Sequence, residues 1–160
     1  MPISTIGQNG LQQSRILTAV QQPAGAVLQV VNATYSTQTT TTSIAMVTTG
    51  FSASITPSSS TSKILVITAS SIGTVAAVTG VVLQLWRGGS SIFSISPVAG
   101  YFTGSTVTQN NQTVTETYLD SPATTSSITY TQYFATFNAG TAYFCINSNP
   151  STITLMEIAA

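Results

Sequence analysis

The chain has 160 residues, enough for one domain with a substantial core. It contains three Lys or Arg residues, three Asp or Glu residues and no His, so its formal net charge is zero. Three scattered cations release too few counterions to hold nucleic acid by its phosphates, and they cannot form a basic membrane-binding face. The longest apolar region, residues 75–86, is interrupted and too short to span a bilayer. We therefore expect no nucleic acid partner and no membrane insertion.

The surface chemistry predicted from this composition is dominated by hydroxyl groups. Charged residues make up 4% of the chain, against about a quarter in an ordinary soluble domain. Roughly a third of the residues are Ser or Thr. Because a surface close to neutral favours self-association, we expect a protein that works inside an assembly, where neighbouring subunits cover many of its faces.

The first 24 residues differ from the rest of the chain. They are polar and rich in Gln, with scattered apolar side chains, and a segment of this kind cannot bury itself alone and often docks on a partner. We predict that residues 1–24 form an extended anchoring arm and that residues 25–160 form the folded domain. The candidate anchoring residues are Ile3, Ile6, Leu11, Arg15, Ile16 and Leu17.

The remainder of the chain shows the pattern of short β-strands separated by turns. Runs of β-branched and aromatic residues alternate with Gly, Pro, Asn and Ser. The predicted strands are residues 26–35, 43–47, 50–57, 63–71, 80–87, 91–96, 113–119, 127–137, 141–146 and 151–159. Short strands at regular spacing, with few helix-forming residues between them, predict an all-β fold, an antiparallel jelly-roll-like β-sandwich.

Turn residues predict how some of these strands are connected. The Gly-Gly pair at 88–89 predicts a β-hairpin between the strands on either side of it. The Asn-Ala-Gly turn at 138–140 predicts a second hairpin, between strands 127–137 and 141–146. A long loop is expected at 97–112, where Pro, Gly and two adjacent Asn residues interrupt the pattern.

The loop predicted at 97–112 holds the candidate receptor contacts. It carries two adjacent aromatic residues, Tyr101 and Phe102, and two adjacent amides, Asn110 and Asn111. Loops rarely expose two large aromatic side chains to water. Two interpretations stay open: the loop contacts a receptor, or the aromatic pair packs beneath the loop.

The aromatic strands near the C-terminus predict burial on two faces. Alternation places Tyr130 and Phe134 on one face of their strand and Tyr133 and Phe137 on the other. One face is expected to line the core of the domain. We assign the other face to a subunit interface, with Tyr133, Phe137 and Tyr143 as its candidate residues.

The three carboxylates do not form a pattern that predicts catalysis. A glycosidase needs two acids facing one cleft, and nothing in the spacing of Glu116, Asp120 and Glu157 supports that arrangement. We expect Glu157 to form a buried ion pair with an Arg, either Arg87 or a residue of another subunit. Asp120 lies in an Asp-Ser-Pro-Ala turn, where its side chain is expected to cap backbone amides.

Other kinds of chemical site find little support in the residues present. Without His there is no Ser-His-Asp triad and no imidazole ligand for zinc. The single cysteine, Cys145, lies in an apolar run and is expected to be a small buried strand residue. Trp86 at the end of a buried strand is expected to lie in the core or in an interface rather than to stack on a sugar. We expect no cofactor, no metal site and no enzymatic activity.

Several stretches together resemble a domain found in virion proteins of tailed phages of marine and freshwater hosts, including cyanophages, which are described as tail-fibre-like or structural. The resemblance covers nearly all of residues 23–160, with the motifs in the same order. They are PAGAVLQVVNATYST (23–37), SASITPSSSTSKILV (52–66), LWRGGSSI (85–92), YLDSPATTSSITY (118–130), AGTAYFCIN (139–147) and STITLMEIAA (151–160).

The resemblance implies a β-rich knob that assembles as a homotrimer on the outer surface of a phage particle, and it brings no catalytic residues. Its expected partners are other copies of itself and other virion proteins, such as capsid or tail components. The chain has no coiled-coil heptads or shaft repeats of a long fibre, which favours a capsid decoration (cement) protein or a short fibre. The alternative is a receptor-binding tail fibre or adhesin that recognises a glycan or protein on the host surface.

Overall fold

The structure is a computed structural model that describes residues 22–75, 79–102, 109–138 and 140–160, with only the backbone described for 95–102. All but the last three residues of the predicted arm lie outside this part of the chain, and so do the six candidate anchoring residues. The division between arm and folded domain therefore stays a prediction.

The described residues form ten β-strands and one short 3-10 helix. The strands are β1 (Val27–Tyr35), β2 (Thr39–Thr41), β3 (Val47–Ile55), β4 (Lys63–Thr74), β5 (Thr79–Arg87), β6 (Ser90–Phe102), β7 (Asn110–Asp120), β8 (Ile128–Thr136), β9 (Ala142–Phe144) and β10 (Ser151–Ile158). The 3-10 helix, Ile146–Ser148, lies between β9 and β10.

The strands form two antiparallel sheets. In sheet A, β4 has β10 along one edge and β7 along the other, β1 pairs with the far edge of β10, and β9 and β2 extend the sheet at the end of β4. Sheet B has the order β3-β8-β5-β6. Without the three-residue strands β2 and β9, the order is β1-β10-β4-β7 in sheet A and β3-β8-β5-β6 in sheet B. When the eight long strands are numbered along the chain, these orders are 1-8-3-6 and 2-7-4-5. This is the jelly-roll topology, and it confirms the predicted fold class.

The core lies between the sheets and follows from the alternation of side chains along the strands. On β3 every second residue is buried, from Thr49 to Ile55, while the residues between them are exposed. Phe51 of β3 lies 6.0 Å from Phe144 of β9, measured between ring centroids, so aromatic side chains join the two sheets. Each fully buried side chain of this size contributes about 2–3 kcal/mol through the hydrophobic effect.

Most predicted strands are confirmed with small shifts of their ends. The hairpin at 88–89 is confirmed as well, because β5 and β6 pair along their length and Gly88 and Gly89 have φ values of 57° and 85°. Positive φ at both central residues is what a type I′ turn requires, and glycine adopts it without strain. The strand predicted at 43–47 is absent, since β3 begins only at Val47.

The second predicted hairpin is wrong. β8 belongs to sheet B, where it pairs with β3 and β5, whereas β9 belongs to sheet A, where it pairs with β2 and β4. The turn between them therefore crosses from one sheet to the other. A turn signal between two apolar strands indicates a change of direction, but it does not say whether the second strand pairs with the first.

The predicted loop at 97–112 is shorter than expected. β6 continues to Phe102, and β7 begins at Asn110. The register between β5 and β6 shifts twice in this region, between the pairs Val81–Ala99 and Leu83–Ile95 and again towards Phe102. These bulges and the edge position of β6 accommodate a proline that a regular central strand would not tolerate.

Candidate functional site

All three carboxylates of the chain point into the sandwich from sheet A. Glu157 of β10 and Asp120 of β7 lie on either side of Ile64, and Glu116 lies opposite Thr68. The exposed fractions of Glu116, Asp120 and Glu157 are 3%, 5% and 0%. The inner face of sheet A is therefore chemically unusual, since acidic residues are rarely buried unless they are paired.

Asp120 joins the two sheets through an ion pair and a hydrogen bond. Arg87 Nη1, at the end of β5, lies 2.5 Å from Asp120 Oδ2, and the Tyr130 hydroxyl of β8 donates to the same oxygen at 2.6 Å. Burial raises the pKa of Tyr130, and the hydrogen bond to Asp120 raises it further, so the phenol stays protonated and donates.

The expectation that Asp120 caps backbone amides in a turn is therefore wrong in its detail. Asp120 is the last residue of β7, and alternation turns its side chain to the inner face, towards Arg87. Its role is nevertheless structural, because it holds the end of one sheet against the other.

Glu157 is held by hydrogen bonds instead of the predicted ion pair with Arg87. Its Oε2 accepts from Gln29 Nε2 at 2.6 Å, and its Oε1 accepts from the Ser58 backbone N–H at 2.8 Å and from the Ser58 hydroxyl at 2.7 Å. Burial alone would raise the pKa of Glu157, but these donors outweigh burial and lower it. The sequence could not show this, because Gln29 and Ser58 are brought to Glu157 by strand pairing and by the loop after β3.

Glu116 has the least complete set of partners. Its Oε2 accepts from the Thr68 hydroxyl at 3.1 Å and from Gln132 Nε2 of β8. Among the described residues, the other carboxylate oxygen of Glu116 and the side-chain oxygen of Gln132 have no hydrogen-bond partner. Burial raises the pKa of Glu116, although the bonds from Thr68 and Gln132 partly oppose it.

Each of these three arrangements connects separate parts of the sandwich. Each carboxylate contacts its own set of protein donors, at a separate place on the inner face. Within the described ranges, no group of three or more His, Cys, Asp or Glu side chains lies close enough to hold a metal ion. The same part of the chain holds no helix with the length and hydropathy needed to cross a membrane.

Cys145 is buried, as predicted, although it lies just after β9 rather than in it. Its Sγ lies 3.2 Å from the backbone oxygen of Tyr35 and 3.2 Å from the Ser151 hydroxyl. Burial raises the pKa of the thiol. Cys145 has a φ of 51°, which together with positive φ values at Asn147 and Ser148 makes this the most strained segment of the described backbone.

The outer face of sheet B carries an aromatic pair. The rings of Trp86 and Tyr133 are stacked, with centroids 4.2 Å apart and planes at 17°, and Trp86 Nε1 donates to Gln84 Oε1 at 2.9 Å. Tyr133 therefore points away from the core, as predicted. One face of its ring is covered by Trp86 of the same chain. Phe137 is 44% exposed and Tyr143 is half-buried, and the assignment of these three residues to a subunit interface stays a prediction.

The four candidate receptor residues lie near one end of the sandwich. Tyr101 and Phe102 end β6, and Asn110 and Asn111 begin β7. Asn111 lines an open pocket of about 360 Å³. The other residues that line this pocket are Ser71, Gln112, Thr113, Asn149 and Pro150.

Sequence reasoning missed most of this pocket. Its lining comes from three distant stretches of the chain, which are Ser71 of β4, residues 111–113 of β7 and residues 149–150 before β10. The pairing of β7 with β4 brings the first two together. Its walls are amides and hydroxyls without a charged group. Such groups can hydrogen-bond a neutral polar ligand, but they provide no acid or base with a pKa suited to catalysis at neutral pH.

Comparisons with known proteins give only distant likenesses. No family model and no curated protein matches the chain. Among solved structures, one of the Gt strain of infectious bursal disease virus is 15% identical with a TM-score of 0.45, covering 84% of this chain and 39% of that one. The VP2 subviral particle of the same virus is 16% identical with a TM-score of 0.44, covering 82% of this chain and 38% of that one.

The chain thus spans about two fifths of the length of the viral proteins it matches. With TM-scores below 0.5, these likenesses carry no conclusion about the function of this chain. The jelly-roll assignment comes from the strand order and pairing of the chain itself.

Proposed function

We propose that this protein is a non-enzymatic structural protein of a bacteriophage virion. It is a homotrimeric knob on the outer surface of the particle, attached through residues 1–24, and it serves as capsid decoration (cement) or as a short fibre. Its partners are other copies of itself and other proteins of the virion.

The observation that carries this proposal is the distribution of charge. All three acidic side chains lie inside the sandwich, and Arg87 is held by Asp120. The described surface is left with Lys63 and a large number of hydroxyl groups. A surface without repulsive charge suits close contact with neighbouring subunits, whereas a free monomer at high concentration needs net charge to stay apart from its copies.

The inner carboxylates also support a structural role. Each one stabilises the position of a strand, and none faces a cleft with a second acid. The resemblance of residues 23–160 to virion proteins of tailed phages supports the same assignment.

The test is to locate the protein on purified phage particles. Cryo-electron microscopy of particles that carry the tagged chain should show density on the outer surface, on the head for a cement protein or on the tail for a fibre. Absence of the chain from purified particles, measured by mass spectrometry, would overturn the proposal.

Deletion of residues 1–24 tests the attachment. The truncated protein should fold with an unchanged circular dichroism spectrum but should not be recovered with particles. Replacing the apolar arm residues Ile3, Ile6, Leu11, Ile16 and Leu17 with Ser should have the same effect. Replacing Gln8, Gln12 and Gln13 with Ser is the matched control and should leave attachment intact. Unfolding of the truncated chain would show that residues 1–24 belong to the domain.

The alternative is that the knob is a receptor-binding protein, and the pocket beside Asn111 favours it. Amide and hydroxyl groups from three stretches of chain form a neutral, hydrogen-bonding surface, which suits a host glycan. Purified knob should then compete with particles for adsorption to host cells. Asn111→Ala and Asn149→Ala should weaken that competition at least severalfold, while Ser54→Ala, on the exposed side of β3, should not. If the knob does not compete, this alternative fails and the structural role is unaffected.

A further inference from the structure

The outer face of sheet A carries a row of apolar side chains that crosses four strands. The register pairs Val30 of β1 with Met156 of β10, Met156 with Leu65 of β4, and Leu65 with Leu119 of β7. Because directly paired residues point to the same side of a sheet, these four side chains form one continuous line. At about 4.8 Å between neighbouring strands, the line extends about 14 Å from β1 to β7.

The next row towards the end of the sheet enlarges this line into a band. Val27 pairs with Ile158 on the same outer face. The outer band is therefore the set Val27, Val30, Leu65, Leu119, Met156 and Ile158. Three of its members are among the most exposed large apolar side chains of the described residues, with Val27 at 54%, Val30 at 56% and Leu119 at 49%.

Polar and charged groups border the outer band. On one side, the next row is Asn32, Thr154, Ile67 and Thr117, in which the half-buried Ile67 is the one apolar residue, and Asn32 Nδ2 donates to the Thr154 hydroxyl at 2.9 Å. On the other side, Lys63 pairs with Ile158 and is exposed. A contiguous apolar patch with a polar border is typical of a protein–protein contact.

We propose that the outer band is the surface through which copies of this chain contact one another, with a second copy as its occupant. The inference rests on the self-association in the proposed function, and it places the contact at the outer band rather than at the candidate interface residues Tyr133, Phe137 and Tyr143. We infer a second copy as the occupant because the outer band contains no charged side chain.

A face without charge offers nothing for a charged partner to recognise, but it is compatible with itself. Lys63 lies at the border, so two bands can pack together while each ammonium group stays in water. No acidic side chain lies on the surface of the chain to attract a cationic partner, because all three are buried. Burial of the band between copies would remove its apolar side chains from water, at about 25 cal/mol for each Å².

Lysine substitutions within the band test this inference. In the full-length chain, Val30→Lys and Leu119→Lys each place a charge in the proposed contact, on exposed sites where a single domain tolerates it. The matched controls are Thr34→Lys and Thr115→Lys, which lie four residues along the same strands, on the same face and outside the band. All four variants should keep the circular dichroism spectrum of the wild type.

The molar mass is measured by sedimentation velocity over a range of concentrations. We expect the wild type and both controls to be oligomeric, and the band variants to dissociate with a dissociation constant raised about tenfold or more, because burial of an unpaired charge is costly. Band variants with the mass of the wild type would overturn the inference, and so would a monomeric wild type. A monomer that self-associates after deletion of residues 1–21 would instead identify that segment as the occupant.

Recovery on particles separates this inference from the proposed function. If the chain assembles through the band but is never found on particles, the inference stands and the virion role fails. If the chain is found on particles while the band variants assemble like the wild type, the virion role stands and the inference fails.

Discussion

Asp120 and Glu116 lie four residues apart on the same face of β7, yet the protein accommodates them in opposite ways. Asp120, at the end of the strand, has a cation and a phenol as partners. Glu116, in the interior of the strand, has only neutral donors, and one of its oxygens has no partner among the described residues. The end of the sandwich can admit a partly exposed Arg, whereas its middle cannot.

Position along the sheet therefore decides which partners a buried acid finds in this protein. At the border Asp120 contacts a guanidinium and a phenol, whereas burial raises the pKa of Glu116 in the interior. Glu157 provides a third arrangement, in which three donors replace the cation. The predictions below test this contrast by removing each carboxylate or its donor.

Asp120→Ala should have the largest effect. The change leaves the Arg87 guanidinium and the Tyr130 hydroxyl without their common acceptor. We expect a loss of about 3 kcal/mol in the free energy of unfolding, at the low end for a broken buried ion pair because Arg87 is partly in contact with water. Urea denaturation at neutral pH measures it. Ser121→Ala, at the exposed neighbouring position, is the control, and equal stabilities of the two variants would show that the ion pair does not hold the sheets together.

Glu157→Gln should lower the free energy of unfolding somewhat less, by about 2 kcal/mol at neutral pH. The hydrogen bonds to a charged acceptor are replaced by weaker ones, and one donor is left facing an amide NH₂. The lowered pKa of Glu157 means that its contribution is present above pH 4.5, its ordinary value, and is lost as the pH falls through the pKa in the folded state. The difference between variant and wild type should therefore shrink in acid. A difference that grows in acid would contradict the assignment of an ionised Glu157.

Tyr130→Phe should cost about 1 kcal/mol, because it removes one donor from Asp120 while the ion pair with Arg87 remains. The ring stays in the core, so the loss of packing is small. Tyr133→Phe, on the same strand but the opposite face, is the matched control and should be close to the wild type. If the two variants are equally stable, the hydrogen bond to Asp120 contributes nothing measurable.

Glu116→Gln should have the smallest effect at acidic pH, less than about 1 kcal/mol, because an amide resembles the neutral acid in shape and hydrogen bonding. The raised pKa of Glu116 means that its contribution is fully present below pH 4.5 and is lost as the pH rises through the pKa in the folded state. The variant should therefore become more stable relative to the wild type as the pH rises. This trend is opposite in sign to that of Glu157→Gln, and equal trends would remove the distinction between the two sites.

The amino-acid sequence by itself determined the fold class and most strand positions. Alternating runs such as residues 50–57 and the Gly-Gly turn at 88–89 report local preferences of the backbone, which act over a few residues and can be read without knowing the neighbours. The two-sided character of the aromatic strand, with Phe134 inward and Tyr133 outward, was predictable for the same reason. So was the burial of Cys145 in an apolar run.

Only the tertiary structure decided which distant residues meet. The pairing of β7 with β4 and the crossing of β8 from sheet B to β9 in sheet A depend on the packing of the whole domain, and no local pattern encodes them. For this reason Arg87, one of the two partners predicted for Glu157, pairs with Asp120 instead. The outer band has the same origin, since Val30 and Leu119 are far apart in the chain and become one surface only through the register of four strands.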